Sequence, residues 1–340
     1  MELEKELERY EEHCLAKGNF LQSAYWPNVK ANWGKEFITV EDDNGEIVGS
    51  MLILVKKIPV VGTAMLYCPH GPVCDLHNKE VLAKLMDKAK IIALKYHAYT
   101  LKVDPLIDET DHIGIENLKS LGFVWHPEKL GYDTVQCREN YMIDINGRTP
   151  DELLASFKPK WRYNIRLAQR KGLTCEFYGT EKLDEFDKMM ERTAERDGFT
   201  RRGKAYFERM LTQMGGHAKL CMCYYEDKPL SGALCVDYGD TMSYVYGASC
   251  DEMRNFMPTY LMQWTMIKYA AEKGIRYYDF CGVPYWYNEE HRNYGVYRFK
   301  QGFNGYVKTW AGEFDYTFRP VMNTAASIGM WLHYLRHPRN

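Results

Sequence analysis

The chain reads as a mixed α/β protein in which one sheet domain is used twice, and three pairs of matching segments carry that reading. The first pair is "VEDDNGEIVGSMLILV" (40–55) and "YYEDKPLSGALCVDYG" (224–239): an acidic strand end, a turn, then a small residue opening an apolar strand. The second is "KEVLAKLMDKAKIIALKYHAYTLKVDP" and "TYLMQWTMIKYAAEKGIRYYDFCGVP". Each is an amphipathic helix with apolar residues three and four apart, followed by a short buried strand. In the third, "ENLKSLGFVW" and "YRFKQGFNGY" place a lysine shortly before Gly and Phe, as a last helix turning into a last strand would. Hairpin, helix, strand, helix, strand thus occurs twice, and 340 residues suit two domains of ordinary size.

Composition narrows the class. The chain carries 44 Lys and Arg against 46 Asp and Glu, is 46% hydrophobic, and has no Pro-, Ser- or Gly-rich tract, so it should fold throughout. "MELEKELERYEEHCLAKG" is acidic and helical, without the basic-then-apolar order of an export signal, so the expected location is the cytoplasm. The apolar window "VMNTAASIGMWLHYL" (321–335) is interrupted by Asn323, Thr324, Ser327 and His333 and is shorter than the roughly 20 residues that span a bilayer. It reads as a packed C-terminal helix. Its Trp331, with Arg336 and Arg339 beyond, leaves open a peripheral contact with the inner face of the cell membrane. Ten cysteines in such a chain point to reduced thiols. "CPHGPVCDLH" offers Cys68, His70, Cys74 and His77, but the spacing fits no common zinc module, and no metal is expected.

"SFKPKWRYNIRLAQRKGLTCEF" (156–177) is the most unusual stretch. Thr149, Pro150 and Asp151 form a capping signature ahead of it, Pro159 breaks the helix, and Gly172 ends it. The second half sets Arg162, Arg166 and Arg170 four apart on one helical face, with Lys160 alongside and Ile165 and Ala168 turned inward. A charge run is usually a solvated face. Here no acid lies between Glu152 and Glu176 to relieve the repulsion, which points to an anionic partner.

"FLQSAYWPNVKANWG", "SFKPKWRYNIRLAQRKGL", "MSYVYGASCDEMRNFMPTYLMQW" and "YRFKQGFNGYVKTWAGEFDYTFRPV" together resemble the Fem family of aminoacyltransferases, over nearly the whole chain. These enzymes transfer amino acids from aminoacyl-tRNA to peptidoglycan precursors. The resemblance implies two tandem domains of the acyl-CoA N-acyltransferase (GNAT-like) fold. Domain 1 would span 1–145 plus 319–340, on the precursor side, and domain 2 would span 146–318, on the aminoacyl-tRNA side. Larger members carry a coiled-coil arm in domain 2; nothing between Glu226 and Arg319 has the length or heptads for one. The chain is similar to the short form that uses the soluble nucleotide precursor.

Aminolysis of an activated ester needs aligned substrates, a route for the amine proton and a donor where oxyanion charge develops, but no covalent intermediate. The resemblance assigns Lys30 and Arg202 to the precursor phosphates, with Tyr206 beside them and Tyr99, Tyr244 and Tyr246 as further substrate contacts. It makes Asp104 an acceptor-site residue, either orienting the amine or taking its proton. Strand alternation in "SYVYG" would aim both Tyr244 and Tyr246 to one face. Phe299 and Lys300 form the last pair, the lysine stabilising the oxyanion or holding the terminal tRNA phosphate. The arginine row would follow the tRNA acceptor stem, flank the precursor diphosphate, or meet anionic lipid. Aminoacyl-tRNA serves as co-substrate with no other cofactor, and the acceptor is UDP-MurNAc-pentapeptide or lipid II. A monomer is the default. Two other readings stand beside this one. A CoA-dependent N-acetyltransferase is disfavoured because "RNYGVY" ends in Tyr297, where a CoA pyrophosphate would need a small residue. A binding-only protein would need the basic row alone.

Overall fold

The computed structural model describes residues 2–58, 62–131 and 133–324. The chain forms two compact units, one running to Arg138 and resuming at Thr309, the other Glu139–Lys308. In the first, α1 (Glu2–Lys17) and α2 (Trp26–Val29) precede β1 (Gly34–Glu41), β2 (Ile47–Ile58), β3 (Thr63–Cys68) and β4 (Val73–Cys74). Then come α3 (Lys79–Lys95), β5 (Ala98–Val103), α4 (His112–Ser120) and β6 (Val124–Trp125). The second unit opens with β7 (Glu139–Asp144), α5 (Pro150–Ser156), α6 (Pro159–Arg170), β8 (Leu173–Tyr178), α7 (Leu183–Asp197) and α8 (Lys204–Gln213). It continues with β9 (Ala218–Tyr225), β10 (Lys228–Tyr238), β11 (Thr241–Ser249), α9 (Pro258–Glu272), β12 (Tyr277–Gly282), α10 (Tyr294–Gln301) and β13 (Tyr306–Thr309). The last strand, β14 (Phe314–Thr317), belongs to the first unit.

Local chemistry accounts for these elements. β2 is buried continuously from Gly49 to Val55, so its apolar run does not alternate; both faces are covered. Asn78 caps α3 by accepting from the Val81 N–H, and the stripe Val81, Leu85, Met86, Ala89 and Ile92 packs on the sheet core with Leu66 and Leu101. Thr149 and Glu152 form a reciprocal capping box on α5. Pro159 cannot donate a backbone hydrogen bond, so it opens α6 as its first residue rather than extending α5.

The first sheet runs β1-β2-β3-β5-β14-β6, with β4 on β2; the second runs β13-β7-β12-β11-β10-β9-β8. The two orders match over six strands once β14 is laid on β7, leaving β4 extra in the first sheet and β8 extra in the second. Each inserted strand comes from beyond its own run of chain: β7 follows β6 in sequence yet pairs with β12, and β14 follows β13 yet pairs with β5 and β6. That exchange corrects the expected boundaries at 145/146 and 318/319, each of which fell behind a strand that had already joined the other sheet.

The copies also differ in how far their parallel pair runs. The parallel pair β3/β5 runs from Ala64 through Cys68 against Ala98 through Val103, with one register shift between Ala64 and Met65, and stays paired to its end. The equivalent pair β11/β12 is joined only from Thr241 to Ser243, against Tyr277 to Asp279, and then opens.

Candidate functional site

Asp104 follows β5 and is buried. Its Oδ2 accepts from the Tyr67 hydroxyl at 2.7 Å and its Oδ1 from the His70 backbone N–H at 2.6 Å. Burial nevertheless pushes the carboxyl up to about 8, outweighing both bonds. Asp104 lines a small polar cavity with His70, Gln136, Arg138 and Trp310. The imidazole of His70 is held down at about 4 by burial, so it is neutral, and its buried Nδ1 has no hydrogen-bond partner. Gln136 donates to the Tyr67 hydroxyl at 3.3 Å. Arg138 is a buried cation donating to the carbonyls of Pro127 at 2.7 Å and Trp310 at 3.1 Å.

The tyrosine at Asp104 is Tyr67, which the sequence did not single out. Tyr99 sits five positions back, near the other end of β5, roughly 16 Å away at strand rise, and is itself buried. It cannot share a small ligand group with Asp104. Lys30, half-buried after α2, places its ammonium 5.2 Å from the centre of the Trp26 ring.

In the second unit, the opening of β11/β12 is where Lys300 sits. Lys300 is buried and donates to the carbonyls of Phe280 at 2.7 Å, Cys281 at 3.3 Å and Gly282 at 2.8 Å. It supplies donors to β12 where β11 no longer runs alongside. Three N–H groups so used leave an oxyanion or a phosphate to compete with carbonyls for this ammonium. Nearby Asp279 accepts from Asn140 at 2.9 Å and from the Cys281 N–H at 2.7 Å, and burial pushes it up to about 6.

Tyr244 and Tyr246 do not share a face. Tyr246 pairs with Leu234 and Tyr244 with Cys235, leaving Val245 as an extra residue in β11, and the bulge turns one side chain over. Tyr244 packs on the core beneath α9, close to Gln263, and burial pushes its phenol up to about 12. Tyr246 goes to the α8 side, its ring 5.2 Å from Phe207 and 6.2 Å from Tyr206. The guanidinium of exposed Arg202 lies 5.3 Å from the Tyr206 ring, while its neighbour Arg201 is spent on Asp187 and Glu191. Of these two arginines, Arg202 is the one suited to an anion.

The basic helix α6 buries Ile165 and Ala168 and exposes Lys160, Arg166 and Arg170. Arg162 is half-buried and donates back to the Ala155 carbonyl at 2.5 Å; Arg170 lies over Tyr163. No carboxylate pairs with any of these four cations among the described residues. Trp161 anchors the helix, donating to the Phe299 carbonyl at 2.9 Å and lying where a Cβ on Gly302 would come within 1.9 Å of it. Phe299 packs its ring on Tyr260 and Phe303.

The cysteines and histidines of "CPHGPVCDLH" are used separately: Gln22 reaches Cys68, and His77 lies 2.8 Å from Asp111. No cluster with metal-site geometry occurs among the described residues. The window 321–335 falls, from Ala325 onward, outside the described residues. No described helix is long and apolar enough to cross a membrane.

The FemAB family profile matches residues 3–228 and 223–328. The chain belongs to the FemAB family.

This FemAB protein is 32% identical, over an alignment of 372 positions covering 88% of each chain, to the lipid II:glycine glycyltransferase of Staphylococcus aureus (strain MRSA252). It superposes on the crystal structure of FemX with a TM-score of 0.87 and 29% identity, covering 94% of this chain and 98% of that one. A tandem GNAT protein from the clavulanic acid biosynthesis pathway aligns with a TM-score of 0.51 and 12% identity, over 84% and 83% of the chains, and shares the fold. The FemAB protein is therefore a pair of GNAT-like mixed α/β units. Sequence reasoning missed Tyr67, Gln136, Arg138 and Asp279. Only Asp279 had left a signal, a lone acid inside the apolar strand "YYDFCG".

Proposed function

We propose that this FemAB-family protein transfers an amino acid from aminoacyl-tRNA to the stem-peptide amine of a peptidoglycan precursor, UDP-MurNAc-pentapeptide or lipid II. The observation that carries the reading is Asp104, a buried carboxyl raised to about 8 beside a polar cavity, in a chain whose relative is a lipid II:glycine glycyltransferase. The amine reaches the protein as an ammonium. A carboxylate of raised pKa takes its proton more readily than an ordinary one, freeing the lone pair. The nitrogen then attacks the aminoacyl ester carbonyl, an amide C–N bond forms, the C–O bond to the ribose breaks, and the ribose oxygen leaves with a proton. Lys30 in the first unit offers a cation to a precursor phosphate, and in the second unit Arg202 is suited to an anion and exposed Arg166 and Arg170 to a tRNA backbone. No cofactor beyond the charged tRNA is invoked.

The test is mass spectrometry of each precursor incubated with the protein and a pool of charged tRNAs. A mass gain of one or more aminoacyl residues supports the reading and names the amino acid and the acceptor. No gain on either precursor, with the tRNA still charged and the protein folded, overturns it.

A further inference from the structure

We infer that His70 is the second seat of the acceptor amine: its imidazole Nδ1 accepts a hydrogen bond from one N–H of the incoming nitrogen, while the Asp104 carboxylate accepts from another and takes that proton. The inference rests on the transfer reading above.

Three observations support it. Nδ1 of His70 is buried without a hydrogen-bond partner, and His70 and Asp104 both line the cavity. Buried polar atoms in folded proteins are nearly always paired, so an orphan on a residue that lines a cavity points to where a ligand's complementary group goes. The ring is neutral, and with its proton on Nε2 the Nδ1 atom is an acceptor. Finally, the backbone fixes the two acceptors to each other. The His70 N–H donates to Asp104 Oδ1 at 2.6 Å, and His70 holds a left-handed φ of 49°, a costly conformation for a residue with a Cβ.

The cavity suits the ligand. It holds about one water-sized group, which is the size of an NH2 head. A neutral primary amine has two protons and one lone pair, and attack needs that pair free. Gln136 is tied to Tyr67 and completes the polar lining.

The experiment compares His70→Asn with His70→Gly. Both residues tolerate a left-handed φ, but only Asn returns an acceptor near the position of Nδ1. Calorimetry on the full chain, without tRNA, measures binding of UDP-MurNAc-pentapeptide with lysine in the stem and of the same ligand with norleucine there, which swaps NH2 for CH3. The wild type should prefer the lysine ligand. That preference should fall about tenfold in His70→Gly and stay within about threefold in His70→Asn, as loss and retention of one hydrogen bond require. Melting temperatures should stay close, and kcat/KM for the precursor should follow the binding preference. Equal preferences in all three proteins would overturn the role of His70 and leave the transfer reading standing. A wild type that binds both ligands alike, or that binds neither them nor the matching lysine and norleucine forms of lipid II, would overturn this inference together with the placement of the acceptor at Asp104.

Discussion

The Tyr67 hydroxyl donates to Oδ2 of Asp104 at 2.7 Å, and this bond, even with the His70 N–H on Oδ1, does not offset the carboxyl's burial. The carboxyl therefore titrates at about 8, and the sign of two pH effects follows. A base must be ionised to accept a proton, so transfer should rise as pH climbs through about 8, and Asp104→Asn should abolish that inflection and slow turnover about 100-fold. Stability runs the other way. The unfolded chain ionises this carboxyl near 4 and the folded one near 8, so its contribution to stability falls as pH rises across that window. Asp104→Asn should accordingly raise the melting temperature more at pH ~8 than at pH ~5, read by calorimetric scans at the two values.

Lys300→Met should remove donors from the carbonyls of Phe280, Cys281 and Gly282 at once. Each buried acceptor left unpaired costs about 1–3 kcal/mol, so the variant should melt well below the wild type as well as lose transfer. Hydrogen exchange should locate the loosening at the end of β12. A variant that loses transfer with unchanged melting and exchange would show that the ammonium acts on substrate instead of on the strand.

Arg166 and Arg170 are exposed on α6. If they follow tRNA phosphates, changing both to Ala should weaken tRNA binding and lower the slope of log affinity against log salt by roughly 1.5. Filter binding at several salt concentrations reads this directly. An unchanged slope would assign the pair to the precursor or to a lipid surface.

Gly302→Ala should drive Trp161 off its seat, because the new Cβ would fall 1.9 Å from the indole. The expected cost is about 1–3 kcal/mol, with a shift in tryptophan emission, and Trp161→Phe in the same background should recover part of it by vacating space.

What could be foreseen from the sequence were features written in neighbouring residues. The Thr149 cap, the break at Pro159 and the inward Ile165 and Ala168 all depend on spacings of four residues or fewer. Long-range meetings were hidden. Tyr67 and His70 reach Asp104 across more than thirty residues of chain, and nothing in "TAMLYCPH" announces it. The opposite faces of Tyr244 and Tyr246 follow from a bulge against Leu234 and Cys235, which depends on the partner strand. Lys300 has the composition of a surface lysine but finds its carbonyls only once β12 has parted from β11. The family resemblance supplied candidate residues; the fold determined which could act on one another.

The placement of β14 bears on how the molecule is made. During synthesis every segment of the first unit up to Arg138 leaves the ribosome before Phe314 exists, and β5 and β6 then have an empty lane between them. At about 5–20 residues per second the missing strand follows some 10–35 seconds later. Until then the nascent half presents unpaired strand edges and an incomplete core that lacks Phe314, a surface for chaperones to guard. A fragment cut after Arg138 would be held in that same unfinished state, so the two halves are inseparable in the gene even though each has its own core.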